Sequence, residues 1–162
     1  MSCTSPQLLK PPIREAPREV LPVFWRQLLL KANEKGILTH EACHPVRDTR
    51  LCAKTGQHGV HFDYVISLEL ASIELWIDTG VQIVNKRIFD QLHKKRKIVE
   101  TRFNGELSWE RLGTRRFSRI RTFAGHGGIK HGEAHWNILQ DEMIGLMDRF
   151  YKALKPALAQ QI

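Results

Sequence analysis

From Phe62 to Asp78 the chain follows the period of a β-strand. Phe62, Tyr64, Ile66, Leu68 and Leu70 are apolar and alternate with Asp63, Val65, Ser67 and Glu69, and Ile73, Leu75 and Ile77 alternate with Glu74, Trp76 and Asp78. Successive side chains of a strand point to opposite faces, so this pattern gives two strands with one apolar face between them. A chain built around such a pair has to cover that face. A two-residue turn at Ala71-Ser72 predicts the pairs Leu70 with Ile73, Leu68 with Leu75 and Ile66 with Ile77, all on one face. The same register sets Glu69 opposite Glu74, and an Arg from a later hairpin is the expected neutralising partner.

What covers the face is read from helical periodicity. Leu21, Phe24, Trp25, Leu28, Leu29 and Ala32 form one stripe, predicting a helix over 22–35 that Gly36 stops. Ile88, Phe89, Leu92, Val99 and Phe103 form a second stripe over 85–103, closed by Asn104-Gly105. Trp136, Leu139, Met143, Leu146, Met147, Phe150 and Leu154 form a third, with Pro156 near its end. A second hairpin is predicted from Leu107–Leu112 and Phe117–Phe123 around a 113–116 turn, with Glu110 opposite Arg119 and Trp109 opposite Ile120. Residues 37–60 show no clear period.

The predicted order is helix, hairpin, helix, hairpin, helix. It gives an α+β fold with an antiparallel sheet and helices packed on one face. The length of 162 residues suits a single domain over 21–162, preceded by a disordered tail over 1–20 that Pro6, Pro11, Pro12 and Pro17 interrupt. No apolar run is long enough to span a membrane, and no signal peptide is visible. Three scattered cysteines make no disulfide framework, so a cytoplasmic setting is expected.

The formal net charge of +8 is local. Residues 85–121 hold twelve Lys or Arg against four Asp or Glu, and the thirteen other basic residues are matched by thirteen acidic ones. Such a field attracts polyanions. The candidate nucleic-acid-binding residues are Lys86, Arg87, Lys94, Lys97, Arg115, Arg116, Arg119 and Arg121. The first four fall opposite the apolar stripe of the second helix, so they are expected to be exposed. Together with the hairpin tip they are expected to form one positive surface.

Several motifs together resemble a known family. They are Phe62-Asp63-Tyr64-Val65-Ile66, Ile73-Glu74-Leu75-Trp76-Ile77-Asp78, Asn85-Lys86-Arg87-Ile88-Phe89-Asp90-Gln91-Leu92 and Trp109-Glu110-Arg111-Leu112, with Ala32-Asn33-Glu34-Lys35-Gly36 at the end of the first helix. In this order and spacing they resemble the bacterial domain-of-unknown-function family 4268, marked by a Glu-Arg-Leu motif after an Asn-Lys helix start. The resemblance covers about residues 24–155. It implies a domain attached to, or encoded beside, nuclease-like and restriction-type proteins, and it supplies no catalytic residues. The upstream partner domain of the usual arrangement is not expected in this chain.

Catalytic and metal-binding patterns compete with packing roles for the same residues. Asp63 and Glu74 resemble the metal-binding strand of restriction-type nucleases, but Trp76 stands where a water-activating Lys is needed. No metal is expected there and no catalytic residue is assigned. His126, His131, Glu133 and His135 could hold zinc but lack the HExxH spacing, and Cys43, His44 and Cys52 match no zinc-knuckle spacing. Gly125-His126-Gly127-Gly128 lacks the Lys-Ser/Thr ending of a P-loop. The expected function is a non-catalytic nucleic-acid-binding or accessory domain without cofactors, its partner DNA rather than RNA. The alternatives are a module that binds an acidic protein and a metal-dependent nuclease-like domain.

Overall fold

The computed structural model describes residues 17–160. Of the tail expected over 1–20, residues 1–16 lie outside the described residues, and 18–20 form a turn into the first helix. Four helices and five strands follow: α1 (Leu21–Glu34), β1 (Arg50–Lys54), β2 (Val60–Ile66), β3 (Ala71–Ile77), α2 (Gln82–His93), α3 (Arg96–Phe103), β4 (Ser108–Glu110), β5 (Ser118–Phe123) and α4 (Glu133–Ala159), with one 3-10 turn at Ile129–His131. The strands make one antiparallel sheet in the order β1-β2-β3-β5-β4. The fold is α+β, but the helix–hairpin alternation is not observed, because β1 precedes the first hairpin and the second helix is two helices.

The apolar sheet face is made by Phe62, Tyr64 and Ile66 of β2, Ile73, Leu75 and Ile77 of β3, and Ile120 of β5, all buried. α4 packs on β2 and β3, and α2 packs on β3 and β5. Phe150 of α4 meets Phe62 edge-on at 5.9 Å and Phe103 of α3 at 6.3 Å. α1 lies against α4, with the Phe24 ring 5.4 Å from Trp136 and the Gln140 amide donating to the Phe24 carbonyl at 3.1 Å. Edge-to-face pairs of this kind add stability beyond the area they bury.

The first hairpin turns earlier than the alternation suggested. Ile66 pairs with Ala71 rather than Ile77, and Leu75 pairs with Phe62 rather than Leu68. Ser67 explains the shift. Its hydroxyl accepts from the Leu70 N–H at 3.0 Å and its own N–H donates to the Leu70 carbonyl at 2.8 Å, closing a turn that Ala71-Ser72 cannot form. The displacement is even, so the faces survive while the partners change. Leu70 is left 57% exposed and Leu68 only half-buried. Glu69 sits in the turn, beside Lys130 at 2.9 Å, and the residue opposite Glu74 is Asp63.

The helix expected over 85–103 starts at Gln82 and breaks at Lys94-Lys95. The Lys95 N–H bonds back to Leu92 in a tight turn, and its ammonium donates to the Ala157 carbonyl at 3.2 Å. The break redirects Val99 and Phe103 onto α4, and Asn104 ends α3 in the left-handed region (φ 61°). In the second hairpin the expected pairs Glu110–Arg119 and Trp109–Ile120 are present, but Leu112 and Phe117 do not pair. α4 begins at Glu133 and runs through Pro156 rather than ending near it.

Candidate functional site

Three cross-strand rows make the sheet face that points away from α2 and α4. Lys54, His61, Trp76, Arg119 and Glu110 form one row, and Cys52, Asp63, Glu74, Arg121 and Ser108 the next. Arg50, Val65, Ser72 and Phe123 form the third. Asp63 and Glu74 face each other from adjacent strands and are both buried. Two uncompensated carboxylates cannot be held there, because a buried charge without a partner costs several kcal/mol.

Arg50 resolves the conflict. One of its guanidinium nitrogens lies 2.8 Å from Asp63 and 2.8 Å from Glu74, and the guanidinium stacks 4.5 Å from the Trp76 ring centroid. Burial works against the Arg50 charge, but Glu74 and Asp63 outweigh it and raise its pKa above the ordinary value. Arg121 approaches Glu74 at 3.5 Å and Glu110 at 2.5 Å, and Arg119 approaches Glu110 at 3.0 Å. Burial works against ionising Glu110, yet the hydrogen bonds from Arg119 and Arg121 hold its carboxyl below the usual range. The neutralising Arg expected from the second hairpin is therefore present, but the closest cation comes from β1, inside the segment that showed no period.

At the β1 end of the same rows, His61 Nδ1 lies 2.5 Å from Asp63 Oδ1, and Cys52 is the direct cross-strand neighbour of Asp63. Desolvation and the Asp63 charge push the Cys52 thiol up to about 12, so at neutral pH it is a protonated thiol and not a nucleophile. Along the outer edge of β1 runs an open groove of about 720 Å³, lined among others by Cys43, His44, Val46, Arg50, Cys52 and Lys54. The Cys43 thiol donates to the Cys52 carbonyl at 3.2 Å across it.

The eight candidate binding residues divide sharply. Lys86 is buried, contrary to the exposure expected from its place on the helical wheel. Its ammonium has four oxygens within hydrogen-bond distance for its three N–H groups: the carbonyls of Arg111 at 2.6 Å, Leu112 at 2.9 Å and Phe117 at 2.7 Å, and the Ser118 hydroxyl at 2.9 Å. This capture pulls 111–117 out of the β4–β5 ladder, which is why Leu112 and Phe117 do not pair. Burial lowers the Lys86 pKa. Its neighbour Asn85 is buried too, accepting from Thr79 N–H at 2.8 Å and donating to the Arg116 carbonyl at 2.9 Å. The Asn-Lys helix start is a structural clamp.

Arg116 pairs with Asp78 at 2.7 Å, and Arg119 and Arg121 are held in the carboxylate cluster. Arg87, Lys94, Lys97 and Arg115 are exposed, and their side chains make no hydrogen bond or ion pair among the described residues. The loop that carries Arg115 is docked on α2 by Lys86, by Asn85 and by Gln82, whose amide donates to the Gly113 carbonyl at 3.0 Å.

The histidines near α4 are otherwise engaged. His126 Nδ1 pairs with Glu142, His135 Nε2 pairs with the His126 carbonyl, and the His131 and His135 rings lie 4.8 Å apart. The Gly125 N–H also meets Glu142, so a carboxylate sits where a P-loop would hold phosphate. Arg50 does not stand out as a site residue in the sequence, and Cys52 enters only beside Cys43 and His44, at a spacing that matches no zinc knuckle. Their signal is the short alternation Arg50-Leu51-Cys52-Ala53-Lys54, too brief to be distinguished among Pro and Gly.

No curated protein and no solved structure shows a significant match to the chain. A family model described as a domain of unknown function, DUF4268, matches residues 22–158, from the start of α1 to the last turn of α4. The match takes in the sheet, the Arg50 cluster and the Asn85-Lys86 clamp together, and the chain belongs to the DUF4268 family.

Proposed function

We propose that this domain is a non-catalytic nucleic-acid-binding or accessory module whose contact surface is the exposed part of the basic segment. The observation that carries the reading is the division among its cations. The side chains of Arg87, Lys94, Lys97 and Arg115 make no hydrogen bond or ion pair among the described residues, while every acidic residue of the segment that has an ion pair is already satisfied by another Arg. Free guanidinium and ammonium groups on α2, at the α2–α3 break, on α3 and on the β4–β5 loop can reach phosphates, and helix-terminus or base-reading geometry is not needed for that contact. The non-catalytic part rests on the Arg50 guanidinium between Asp63 and Glu74 and on Trp76 in place of a Lys.

Duplex DNA of unrelated sequences is titrated at two salt concentrations. The expected result is sequence-independent binding that weakens with salt, with a slope of roughly −0.9 per phosphate contact. No salt-dependent binding to DNA or RNA at low ionic strength overturns the reading and leaves the surface to an acidic protein. Magnesium-dependent cleavage that Glu74→Ala abolishes overturns its non-catalytic part.

A further inference from the structure

Cys52, His61 and Asp63 form the one group of three His, Cys, Asp or Glu side chains whose ligand atoms converge among the described residues, all within 4.8 Å of one another. No sequence spacing announces it. β1 and β2 bring it together, because Cys52 is the direct cross-strand partner of Asp63 and His61 is two residues before Asp63 on the same face. From these three residues we infer a divalent metal site for a thiophilic, borderline ion of the zinc class.

The donor set decides the class. A thiolate, an imidazole and one carboxylate oxygen are what zinc and cobalt take in tetrahedral sites, whereas magnesium and calcium take oxygen alone. The site stands on two paired strands, which hold ligands more tightly than a loop does. Asp63 is prepared as a ligand. Its Oδ2 is held by Arg50 at 2.8 Å, while its Oδ1 lies 2.5 Å from His61 Nδ1, a hydrogen bond that the metal replaces, with the imidazole proton then carried on Nε2. A carboxylate anchored through one oxygen and presented through the other is the usual outer support of a metal-ligating group. On binding, the metal replaces the thiol proton, and that proton leaves to solvent. Three protein ligands leave a fourth position for water or another ligand.

The site differs in place from the Asp63–Glu74 pair of the nuclease comparison. There the second carboxylate is closed off by Arg50; here the metal stands on the β1 side, with sulfur in its shell. It is also independent of the basic surface, so its test does not depend on nucleic-acid binding.

The experiment is a cobalt(II) titration of the full chain after chelator treatment, under reducing conditions, read by visible absorption and by the sulfur-to-cobalt charge-transfer band. The expected result is saturation at one equivalent, a charge-transfer band, and displacement by zinc. Cys52→Ser abolishes the band; Cys43→Ser and Cys3→Ser retain it. His61→Ala weakens cobalt at least about tenfold. The sulfur band separates this site from the histidines near α4, which would bind cobalt without it. Circular dichroism shows whether each variant is folded, and zinc-dependent protection of the Cys52 thiol from alkylation in the wild type gives a readout that needs no variant. No band in the wild type, a band that survives in Cys52→Ser, or alkylation indifferent to zinc overturns the inference.

Discussion

The two faces of the sheet share the same strands and the same register but are stabilised in different ways. The face under the helices is apolar: Phe62, Tyr64, Ile66, Ile73, Leu75, Ile77 and Ile120 are all buried, and many interchangeable contacts share the load. The other face buries Asp63 and Glu74 and depends on a few specific cations, Arg50 above all. Burial on the first face is favourable in itself. On the second it is tolerated only because each carboxylate has a partner. Removing volume should therefore hurt the first face, and removing charge should hurt the second.

The largest expected effect is on the apolar face. Leu75 is fully buried at the centre of β3, between Phe62 and Ile120. Leu75→Ala should cost about 2–5 kcal/mol in urea unfolding, through the transfer energy forgone and the cavity left behind. A cost near zero would mean that the core lies elsewhere.

A buried imidazole gives that same side of the sheet a pH dependence. His40 has its Nε2 3.0 Å from the Phe62 carbonyl, its ring 4.5 Å from Tyr64, and its Nδ1 without a partner. Desolvation lowers its pKa from 6.5 to about 4. Between those values the unfolded chain binds the proton and the folded one does not, so folding loses stability as pH falls from about 6.5 towards 4. The loss integrates to about 3 kcal/mol. Unfolding free energies at pH 7 and pH 4.5 should show this slope, and His40→Gln should flatten it.

The ionic face should respond more gently. Glu74→Gln keeps the shape and removes the charge, leaving Arg50 to Asp63 and Arg121 to Glu110. Because those arginines are partly solvated, the expected cost is about 1–3 kcal/mol, below that of Leu75→Ala. A larger cost would make the carboxylate cluster, not the apolar core, the main determinant of the sheet.

The contrast between the faces also explains what could be read from the sequence. Apolar periodicity is a one-dimensional signal, so the buried positions of β2, β3 and α4 were legible even where the partners were not. The turn at Ser67 was not legible, because a serine that hydrogen-bonds its own loop looks like any polar residue in an alternating run. The ionic cluster draws on Arg50, Asp63, Glu74, Glu110, Arg119 and Arg121 from five strands; the hairpin register links Glu110 to Arg119, but no local pattern links Arg50 to Asp63 and Glu74. Lys86 is the sharpest case. A helical wheel scores a lysine as exposed, but an ammonium has three donors and can be buried where enough carbonyls converge.

The smallest effect on stability, and the most informative for function, belongs to the cations that neither face uses. The side chains of Arg87, Lys94, Lys97 and Arg115 touch no partner among the described residues, so changing all four to Ala should leave the unfolding midpoint in place. Exposed charges far from a structural role contribute little to folding. If these four neutralise phosphates, the variant should bind duplex DNA more weakly, and its dependence of log K on log salt should flatten by roughly 0.9 for each phosphate no longer neutralised. Lys86→Met is the control that separates the two roles of a basic residue. It removes the same charge but frees the carbonyls of Arg111, Leu112 and Phe117, so it should lower stability. At temperatures where Lys86→Met is still folded, its salt slope should match that of the wild type. A quadruple variant that binds like the wild type, or a Lys86→Met that flattens the slope while staying folded, would place the contact surface elsewhere and dissolve the distinction between committed and free cations.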